Sequence, residues 1–469
     1  MLNTSGNIKL KTKDAYDLFH QGFLAMSRAE DYGFKLDLEY YIRTLEDLDK
    51  KYNRYYSKFY DSQISCIMRD RYKKKFNATS DDQLAYALFV KLKIPIYKYT
   101  DKHKPSVDTD TISHLDVPGL GHLIKMRKIY KVRGFIQNYM REANGSIVRP
   151  NFMLNIITYR SSCLDPNMQN VPKRDMYANK LIRTGFIARE NCRMGESDFS
   201  GMEVSVAYCY HKDPQMYTYL TAPGADMHSD IAKQIFLISD SDFNKKIKDY
   251  KNLRQEAKSS FTFAQFYGDY YANCARYISN NMGLPLTGTW TKDDGLPFMG
   301  TTIGEHFINE GIHNHEEFEK HVRDIEKDLW YNRFPVYREW KESLLKQYHK
   351  DGFIDTLTGF RVQGRMDKNA VINYPVQGSA FHILLWTFIH TDKFITANKM
   401  ESRLLGQIHD ALVSNYADGE EETVIKQIHK LGTQDVRQVW DWISIPLDIE
   451  HDISELNGNW ANLKEYNIN

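Results

Sequence analysis

A long stretch near the N-terminus does most to limit the fold of this chain. Residues 41–76 read YIRTLEDLDKKYNRYYSKFYDSQISCIMRDRYKKKF and contain neither proline nor glycine over more than thirty positions. Because proline and glycine are the residues that interrupt helices, this mixture of apolar and charged side chains predicts a mostly helical arm over residues 14–77. Its end, RDRYKKKF at 69–76, is a basic cluster with interleaved aromatic rings. Such a cluster suits a solvated helix face as well as a contact with phosphates.

The C-terminal part of the chain has a different texture. GQIHDALVSN at 406–415 places His409 and Asp410 between two short apolar runs, which predicts two β-strands joined at or near this pair. Asp410 is then either part of a polar turn or a carboxylate placed at a strand tip to hold a metal ion. GFIDTLTGFRV at 352–362 predicts a second hairpin that turns at Gly359, and a helix is expected over 376–398, after Pro375. Helical and strand patterns together indicate an α+β protein.

Composition narrows the class of protein without identifying it. The 469 residues are 42% hydrophobic and 26% charged, as in a globular protein of two to four domains or subdomains. The longest apolar run, 381–390, is about half of the roughly 20 residues that a membrane helix needs, and the N-terminus has no hydrophobic signal core. The net charge of +1 carries no overall signature of nucleic-acid binding. Five scattered cysteines without a C-x-x-C pair argue against a zinc ribbon and fit a reducing, intracellular compartment.

Candidate chemistry concentrates in two further stretches. Asp198 lies near the end of a predicted strand in ESDFSGMEVSVAYCY, with Glu203 five residues on. Asp198 and Asp410 are the kind of pair that a two-magnesium site needs, although Asp198 is also placed to cap a helix. Arg254 and Lys258 are spaced i, i+4 and share a helix face, where an anion such as a triphosphate would relieve their repulsion. The alternative is an amphipathic core helix whose basic residues face solvent.

Taken together, these stretches resemble family A DNA polymerases, the bacterial polymerase I type. DFSGMEV at 198–204 is similar to the family's D-Y-S-Q-I-E-L, and QIHDA at 407–411 is similar to Q-V-H-D-E. Arg254, Lys258 and Tyr267-Gly268 match the family's R-x-x-x-K helix that ends in Y-G. Further segments agree in the family's order: AMSRAEDYGFKLDLEY, RSSCLDPNMQNVP, LIRTGF, DMHSDIAKQIF, GFIDTLTGFR and NYPVQGSA. The resemblance covers the chain from about residue 20 to its C-terminus.

The resemblance implies a right-hand polymerase fold, with an antiparallel palm sheet, helical fingers and a helical thumb. The implied divisions are an N-terminal extension (1–20), thumb with palm entry segment (21–150), first palm part (151–225), fingers (226–350) and second palm part (351–469). The family's proofreading domain precedes the thumb, where only about 20 residues stand here. We therefore expect no exonuclease activity from this chain.

The implied reaction is template-directed addition of deoxynucleoside triphosphates (dNTPs) to a primer 3′-hydroxyl. Asp198, Asp410 and the backbone carbonyl of Phe199 would hold two Mg²⁺ ions, for which Mn²⁺ can substitute. Arg254 and Lys258 would grip the β- and γ-phosphates, with Lys258 also protonating the leaving pyrophosphate. The dNTP would further meet Phe263, Tyr267 and Glu203, whose carboxylate, hydrogen-bonded to Tyr267, would exclude a 2′-hydroxyl. The positions implied to contact DNA are Arg160, Asn167, Gln169, Arg183, Asn373, Gln377 and His409. The implied partners are primer–template DNA, dNTPs and a separate exonuclease or processivity factor, with no membrane.

Three departures from the family pattern stand out. Ala411 replaces the usual glutamate, which predicts altered metal binding, and Gly201-Met202 replaces Q-I. One extra residue separates Lys258 from Tyr267. A π-bulge would absorb it and return the phosphate-binding face to residues 263 and 267. The longer spacing resembles that of some phage members, so a phage or plasmid source, and then a host cytoplasm, is expected.

Two other functions remain open on sequence alone. A single-subunit RNA polymerase shares the palm and the basic helix, but Glu203 and the DPNMQN segment favour DNA synthesis. A weakly catalytic primer–template-binding subunit is suggested by Ala411. The presence of Asp198, Asp410 and the basic pair argues against it.

Overall fold

A five-stranded antiparallel sheet lies at the centre of the chain. In the computed structural model, the described residues are 12–96, 99–100, 102–113, 115–173, 175–240, 247–298 and 300–468, so residues 1–11 of the predicted N-terminal extension lie outside them. The strand order across the sheet is Arg403–Ile408, Ala411–Ala417, Cys192–Phe199, Ile449–Ile453, Lys464–Glu465. Cys192–Phe199 lies in the middle and buries most of its residues on both faces. The sheet therefore anchors this strand firmly.

The predicted hairpin at 406–415 is confirmed. Strands Arg403–Ile408 and Ala411–Ala417 pair antiparallel, and only His409 and Asp410 lie between them. His409 takes a left-handed conformation (φ 54°), which lets two residues close the turn. Ala411–Ala417 then pairs with Cys192–Phe199 in a register that places Ala411 opposite Asp198. Asp198 and Asp410 consequently lie at the same end of the sheet, where Cys192–Phe199 ends and Ala411–Ala417 begins.

The N-terminal arm is mostly helical, as predicted. Its helices are Thr12–Tyr32, Leu38–Tyr60, Gln63–Tyr72, Asp81–Ala85, Thr109–Ser113 and Leu120–Glu142, with a 3₁₀ turn at Lys73–Lys75 and a π-helical segment at Tyr86–Lys91. The side chain of Asp37 accepts a hydrogen bond from the backbone N–H of Tyr40, which caps the second helix. That helix packs along Leu120–Glu142. A small apolar core separate from the main one includes Phe59, Ile64, Met68, Leu84, Leu88 and Leu123.

Helices also dominate the middle and C-terminal parts of the described chain. They are Met176–Arg183, Met202–His211, Pro214–Thr221, Met227–Ile235, Ile247–Glu256, Phe263–Phe266, Tyr271–Met282, Ile303–Asn309, His315–Lys327, Pro335–Asp351, Lys368–Ala397, Glu421–Lys430 and Val436–Val439. π-helical segments lie at Ala257–Thr262, Asp328–Arg333 and Leu431–Asp435, and 3₁₀ turns at Met168–Asn170 and Trp460–Asn462. None of the helices in the described ranges is both long enough and apolar enough to cross a membrane.

The helix expected to start after Pro375 begins earlier, at Lys368, so that boundary was wrong. The side chain of Asp367 accepts a hydrogen bond from the backbone N–H of Ala370 and caps this start. Val371 and Ile372 on one side of the proline and Val376 on the other are buried in the core. Burial on both sides outweighs the one backbone hydrogen bond that proline cannot donate.

Short antiparallel pairs complete the fold. Phe34–Leu36 pairs with Ile147–Val148 and Phe186–Ile187, Ala143–Asn144 with Ile147–Val148, Asn151–Met153 with Ser162–Leu164, Pro297–Phe298 with Thr301–Thr302, and Phe353–Asp355 with Arg361–Gln363. The last pair is the predicted second hairpin, and Gly359 adopts a φ of 91° in its loop. That left-handed conformation suits glycine.

Candidate active site

Two carboxylates lie at one end of the central sheet. Asp198 is the second-last residue of its strand, and Asp410 follows His409 in the tight turn beside it. The backbone N–H of Phe199 donates a hydrogen bond to the backbone carbonyl of Asp410 at 3.1 Å, which ties the two segments together. The helix that follows starts after Gly201 without a side-chain cap, so Asp198 does not serve as its N-cap. The sheet therefore places both aspartates at one site.

The negative charge of this site is only partly compensated. Partial burial, together with the nearby charges of Glu203 and Asp198, raises the pKa of Asp410 to about 6. Arg160 opposes this effect: its guanidinium lies 3.8 Å from Asp410 Oδ1 and donates to Glu203 Oε1 at 3.3 Å. The ammonium of Lys173 donates to Asp198 Oδ2 at 2.6 Å. A strongly shifted carboxylate in such a cluster is typical of a functional site.

The residues at this end of the sheet fit a hard divalent cation. Within the described ranges, no three or more His, Cys, Asp and Glu side chains are grouped so as to hold a metal ion. Mg²⁺ does not require such a cage, because it commonly takes one or two carboxylates and completes its shell with water and substrate phosphates. Lys173 already places a positive charge on Asp198. Two adjacent carboxylate side chains that attract a cation match the preference of Mg²⁺ or Mn²⁺ for oxygen ligands.

Glu203 lies beside the aspartates and is joined to Tyr267. It stands in the first turn of Met202–His211, and its Oε2 accepts a hydrogen bond from the Tyr267 hydroxyl, as predicted. Burial and the neighbouring Glu203 raise the pKa of Tyr267, so its hydroxyl stays protonated and donates. The side-chain amide of Asn373 donates to the backbone carbonyl of Tyr267 at 3.1 Å. The tyrosine is thus held from both ends.

The helix that carries the basic pair contains the predicted π-bulge. Ile247–Glu256 is α-helical, Ala257–Thr262 is π-helical, and Phe263–Phe266 returns to α-helix; we call residues 247–266 the bulged helix. Phe263 and Tyr267 stack with ring centroids 6.1 Å apart and an interplanar angle of 20°. Lys258 Nζ lies 5.4 Å from the centre of the Phe263 ring. Lys258, Phe263 and Tyr267 therefore follow one another along one side of the helix.

Comparison with known proteins now decides the family. The family model described as DNA polymerase family A matches residues 44–282 and 319–462. The chain belongs to DNA polymerase family A. It is 25% identical over 374 residues to DNA polymerase I of Lactococcus lactis subsp. cremoris, a match over 75% of this chain but 37% of that protein. It is 23% identical over 438 residues to DNA polymerase I of Aquifex aeolicus, covering 92% of this chain and 65% of the relative.

A solved structure has the same fold. It is described as the POL domain of Pol1 from M. smegmatis in complex with DNA primer–template and dNTP. The match has a TM-score of 0.71 and 20% sequence identity, and covers 94% of this chain and 69% of that one. The predicted right-hand fold of helices and an antiparallel sheet is therefore confirmed.

In this family A chain, Arg254 has a protein partner that the sequence did not indicate. Its Nε and Nη2 donate to the two carboxylate oxygens of Asp226 at 2.5 and 3.1 Å. Burial opposes ionisation of Asp226, but hydrogen bonds from Arg254 and Ser229 hold its pKa at about 2. Asp226 also caps Met227–Ile235. The sequence predicted that an anion would relieve the repulsion between Arg254 and Lys258, and Asp226 supplies one at Arg254.

Sequence reasoning also missed His228. Its ring lies edge-on to Phe263 at 5.7 Å, and its buried Nδ1 has no hydrogen-bond partner among the described residues. Burial and the cations of Lys258 and Arg254 lower the pKa of His228 to about 4, so the ring is neutral at pH 7. The signal was present in DMHSDIAKQIF, where His228 stands in the first turn of the helix that Asp226 caps.

A chain of polar groups joins Gln169 and His409, two of the residues implied to contact DNA. Gln169 Nε2 donates to Ser161 Oγ at 2.7 Å and to Gln407 Oε1 at 3.1 Å, and Gln407 donates to the backbone carbonyl of His409. This chain of polar groups leads to the exposed His409 at the turn. Asn167, Asn373 and Gln377 are half-buried. Asn167 Oδ1 is buried without a hydrogen-bond partner in the described part of the chain.

Arg183 is the exception among these positions. Its guanidinium donates to Glu196 Oε2 at 2.8 Å and stacks over the Trp460 ring at 4.2 Å, with 5% of the residue exposed. Helix Met176–Arg183 turns this side chain inward, where it neutralises a buried carboxylate of the strand that carries Asp198. This pair with Glu196 gives the charge of Arg183 a partner within the protein, and its expected contact with DNA stays a prediction.

Proposed function

We propose that this chain is a template-directed DNA polymerase that adds dNTPs to a primer 3′-hydroxyl. The observation that carries the proposal is the placement of Asp198 and Asp410 at one end of the sheet, with the hydrogen-bonded Glu203–Tyr267 pair beside them. Family membership and a structural neighbour described with primer–template and dNTP support it. The proposed divisions remain those implied by the resemblance: thumb 21–150, palm 151–225 and 351–469, fingers 226–350. The separate apolar core within the N-terminal arm supports a distinct thumb.

Asp198, Asp410 and the backbone carbonyl of Phe199 are the groups that would hold two Mg²⁺ ions. When bound, the ions would lower the pKa of the primer hydroxyl and neutralise charge on the leaving pyrophosphate. A bound cation would stabilise the ionised carboxylate of Asp410, because partial burial and two neighbouring acids disfavour that form and raise its pKa. Ala411 supplies no third acid at this end of the sheet. The effect of that departure on metal binding stays a prediction.

Arg254 and Lys258 would bind the β- and γ-phosphates of the nucleotide. Arg254 would do so while retaining or exchanging its pair with Asp226, since a guanidinium has five donors and Asp226 engages two of its nitrogens. Lys258, on the same side of the bulged helix, would give a proton to the departing pyrophosphate oxygen. The neutral His228, which lies against Phe263, would add a hydrogen bond to a phosphate oxygen. Phe263 would lie against the incoming base.

Glu203 would select the sugar by occupying space. Its carboxylate is held by Arg160 and Tyr267, so it cannot easily move aside for a 2′-hydroxyl. The exposed or half-buried members of the proposed DNA-contacting set are Arg160, Asn167, Gln169, Asn373, Gln377 and His409. These polar groups suit a minor groove whose acceptors are nearly the same for every correct base pair. They would therefore test the geometry of the pair rather than its sequence.

Primer extension tests the function directly. Purified protein, Mg²⁺ and a primed template should extend the primer with the dNTP complementary to each of the four template bases, and far less with the matching ribonucleotide. Extension without regard to the template base would contradict the proposal. A preference for ribonucleotides would favour the RNA polymerase alternative. The absence of exonuclease activity and a separate exonuclease or processivity partner stay predictions.

A further inference from the structure

One lysine lies where the metal site would be. Lys173 Nζ donates to Asp198 Oδ2 at 2.6 Å and to Glu196 Oε1 at 3.1 Å. Glu196 and Asp198 are two residues apart on one strand, so their side chains point to the same face of the sheet. The ammonium of Lys173 therefore bridges a buried carboxylate and the carboxylate proposed to bind metal.

The backbone of Lys173 is held in place by the helix that follows it. The Lys173 carbonyl accepts a hydrogen bond from the side-chain amide of Asn179 at 3.2 Å. Asp175 caps Met176–Arg183 by accepting hydrogen bonds from the backbone N–H groups of Tyr177 and Ala178. Local structure thus fixes the backbone of Lys173. Rotation about its side-chain bonds would let the ammonium leave one carboxylate and stay with the other.

Glu196 is the buried partner of this lysine. It also accepts hydrogen bonds from Arg183 at 2.8 Å and from the Trp460 indole at 2.9 Å, and it is buried. Lys173 can therefore give up Asp198 and keep a charged partner, which makes its departure from Asp198 cheap. Within the described ranges Asp198 has no such set of partners, and 36% of its side chain is exposed at the strand end.

We propose that Lys173 is a built-in counter-ion of Asp198 that a divalent cation must displace, so that this lysine sets the metal affinity of the empty enzyme. The inference rests on the proposed function, which assigns metal to Asp198. An ammonium at 2.6 Å from Oδ2 and a divalent ion on the same carboxylate repel each other strongly. Arg160 is a weaker competitor, because it lies 3.8 Å from Asp410 and is engaged by Glu203. Lys173 is a positioning residue rather than a catalytic one.

Binding of Mn²⁺ to metal-free protein, followed by electron paramagnetic resonance without DNA or nucleotide, tests this inference. Lys173→Met should bind Mn²⁺ about five- to tenfold more tightly than wild type, because the competing charge is gone. Lys173→Gln should behave in the same way. Lys173→Arg keeps the charge and should bind as weakly as wild type. Lys426→Met is the matched control, since Lys426 pairs with Glu422 at 2.6 Å on the surface away from the aspartates, and it should leave Mn²⁺ affinity unchanged.

The outcomes separate this inference from the proposed function. Equal or weaker Mn²⁺ binding by both neutral variants would overturn it, as would undetectable binding in every variant. Asp198→Ala, combined with Lys173→Met, should remove the tightened binding. If the double variant binds as tightly as Lys173→Met, the assignment of metal to Asp198 fails and both proposals fall. If it loses binding but Lys173→Met alone matches wild type, only the role of Lys173 is wrong.

Discussion

The fold compensates the charge of Asp410 only in part, and this should have a measurable effect on stability. A carboxylate with a folded-state pKa near 6 destabilises the metal-free fold once it ionises, and the penalty grows from about pH 4 and is complete above pH 6. Asp410→Asn should therefore raise the free energy of unfolding at pH 8. Because 38% of the Asp410 side chain is exposed, solvent screening limits the gain to about 1 kcal/mol.

Urea unfolding in a metal chelator at pH 8 and pH 5 measures this gain. It should be roughly halved at pH 5, where the wild-type carboxylate is largely protonated in the folded state. Asp435→Asn, which removes a surface acid paired with Lys430 at 2.7 Å, serves as the control and should not be stabilising. A variant at Asp410 that is less stable than wild type at pH 8 would show that the site compensates this charge.

Glu203 carries the prediction for sugar selection. Discrimination by steric exclusion requires bulk, so Glu203→Ala should open space for a 2′-hydroxyl and lower the ratio of kcat/KM for dNTP over ribonucleotide by about 10- to 100-fold. Tyr267→Phe, which removes only the hydroxyl bonded to Glu203, should lower the ratio less. Single-nucleotide incorporation kinetics measure both. An unchanged ratio in a folded Glu203→Ala protein would leave Glu203 as an ordinary acid at a helix start.

Single residues also mark the limit of what the sequence could predict. Asp198, Asp410, Glu203 and Tyr267 were predicted as a group because their motifs follow one another in the order of a known family. Asp226 and Lys173 were missed, because their partners are 28 and 25 residues away and no local pattern announces such pairs. The burial of Arg183 was missed for the same reason, since only the packing of Trp460 and Glu196 reveals it.

The bulged helix carries the prediction at the scale of elements. The π turn at Ala257–Thr262 absorbs one residue and keeps Phe263 and Tyr267 in line with Lys258. Deleting the exposed Ser259 should convert the turn to α-helix and preserve this alignment, so primer extension should stay within about fivefold of wild type. Inserting one alanine after Ala264 should instead rotate Tyr267 by about 100° away from Glu203 and reduce extension at least 100-fold.

Circular dichroism should confirm that both of these variants remain helical, so that the comparison concerns phase and not folding. Equal activity of the two would show that the phase of this helix does not matter. The bulge itself was predictable because an extra residue in a helix must be absorbed somewhere. The start of Lys368–Ala397 was not, because a proline is a local signal and the burial on both sides of it is a tertiary one.

In the whole molecule, the fold brings together parts of the chain that are far apart in sequence. Cys192–Phe199 brings Asp198, the Arg403–Ala417 hairpin brings Asp410, and the bulged helix brings Tyr267 to Glu203. The sequence predicted that an antiparallel sheet would carry the aspartates. The register that sets Ala411 opposite Asp198 came only from the structure, since spacing along the chain does not reveal which strands pair.

We propose that Asp198 and Asp410 act together in nucleotide addition. Single-turnover incorporation of one dNTP into a primed template tests it most directly, using Asp198→Ala and Asp410→Ala with primer–template affinity measured in parallel by fluorescence anisotropy. We expect a loss of incorporation of at least about 1,000-fold in each variant, with DNA affinity within about threefold of wild type, because metal ligation serves chemistry and backbone contacts serve binding. Incorporation within tenfold of wild type in either variant would contradict it.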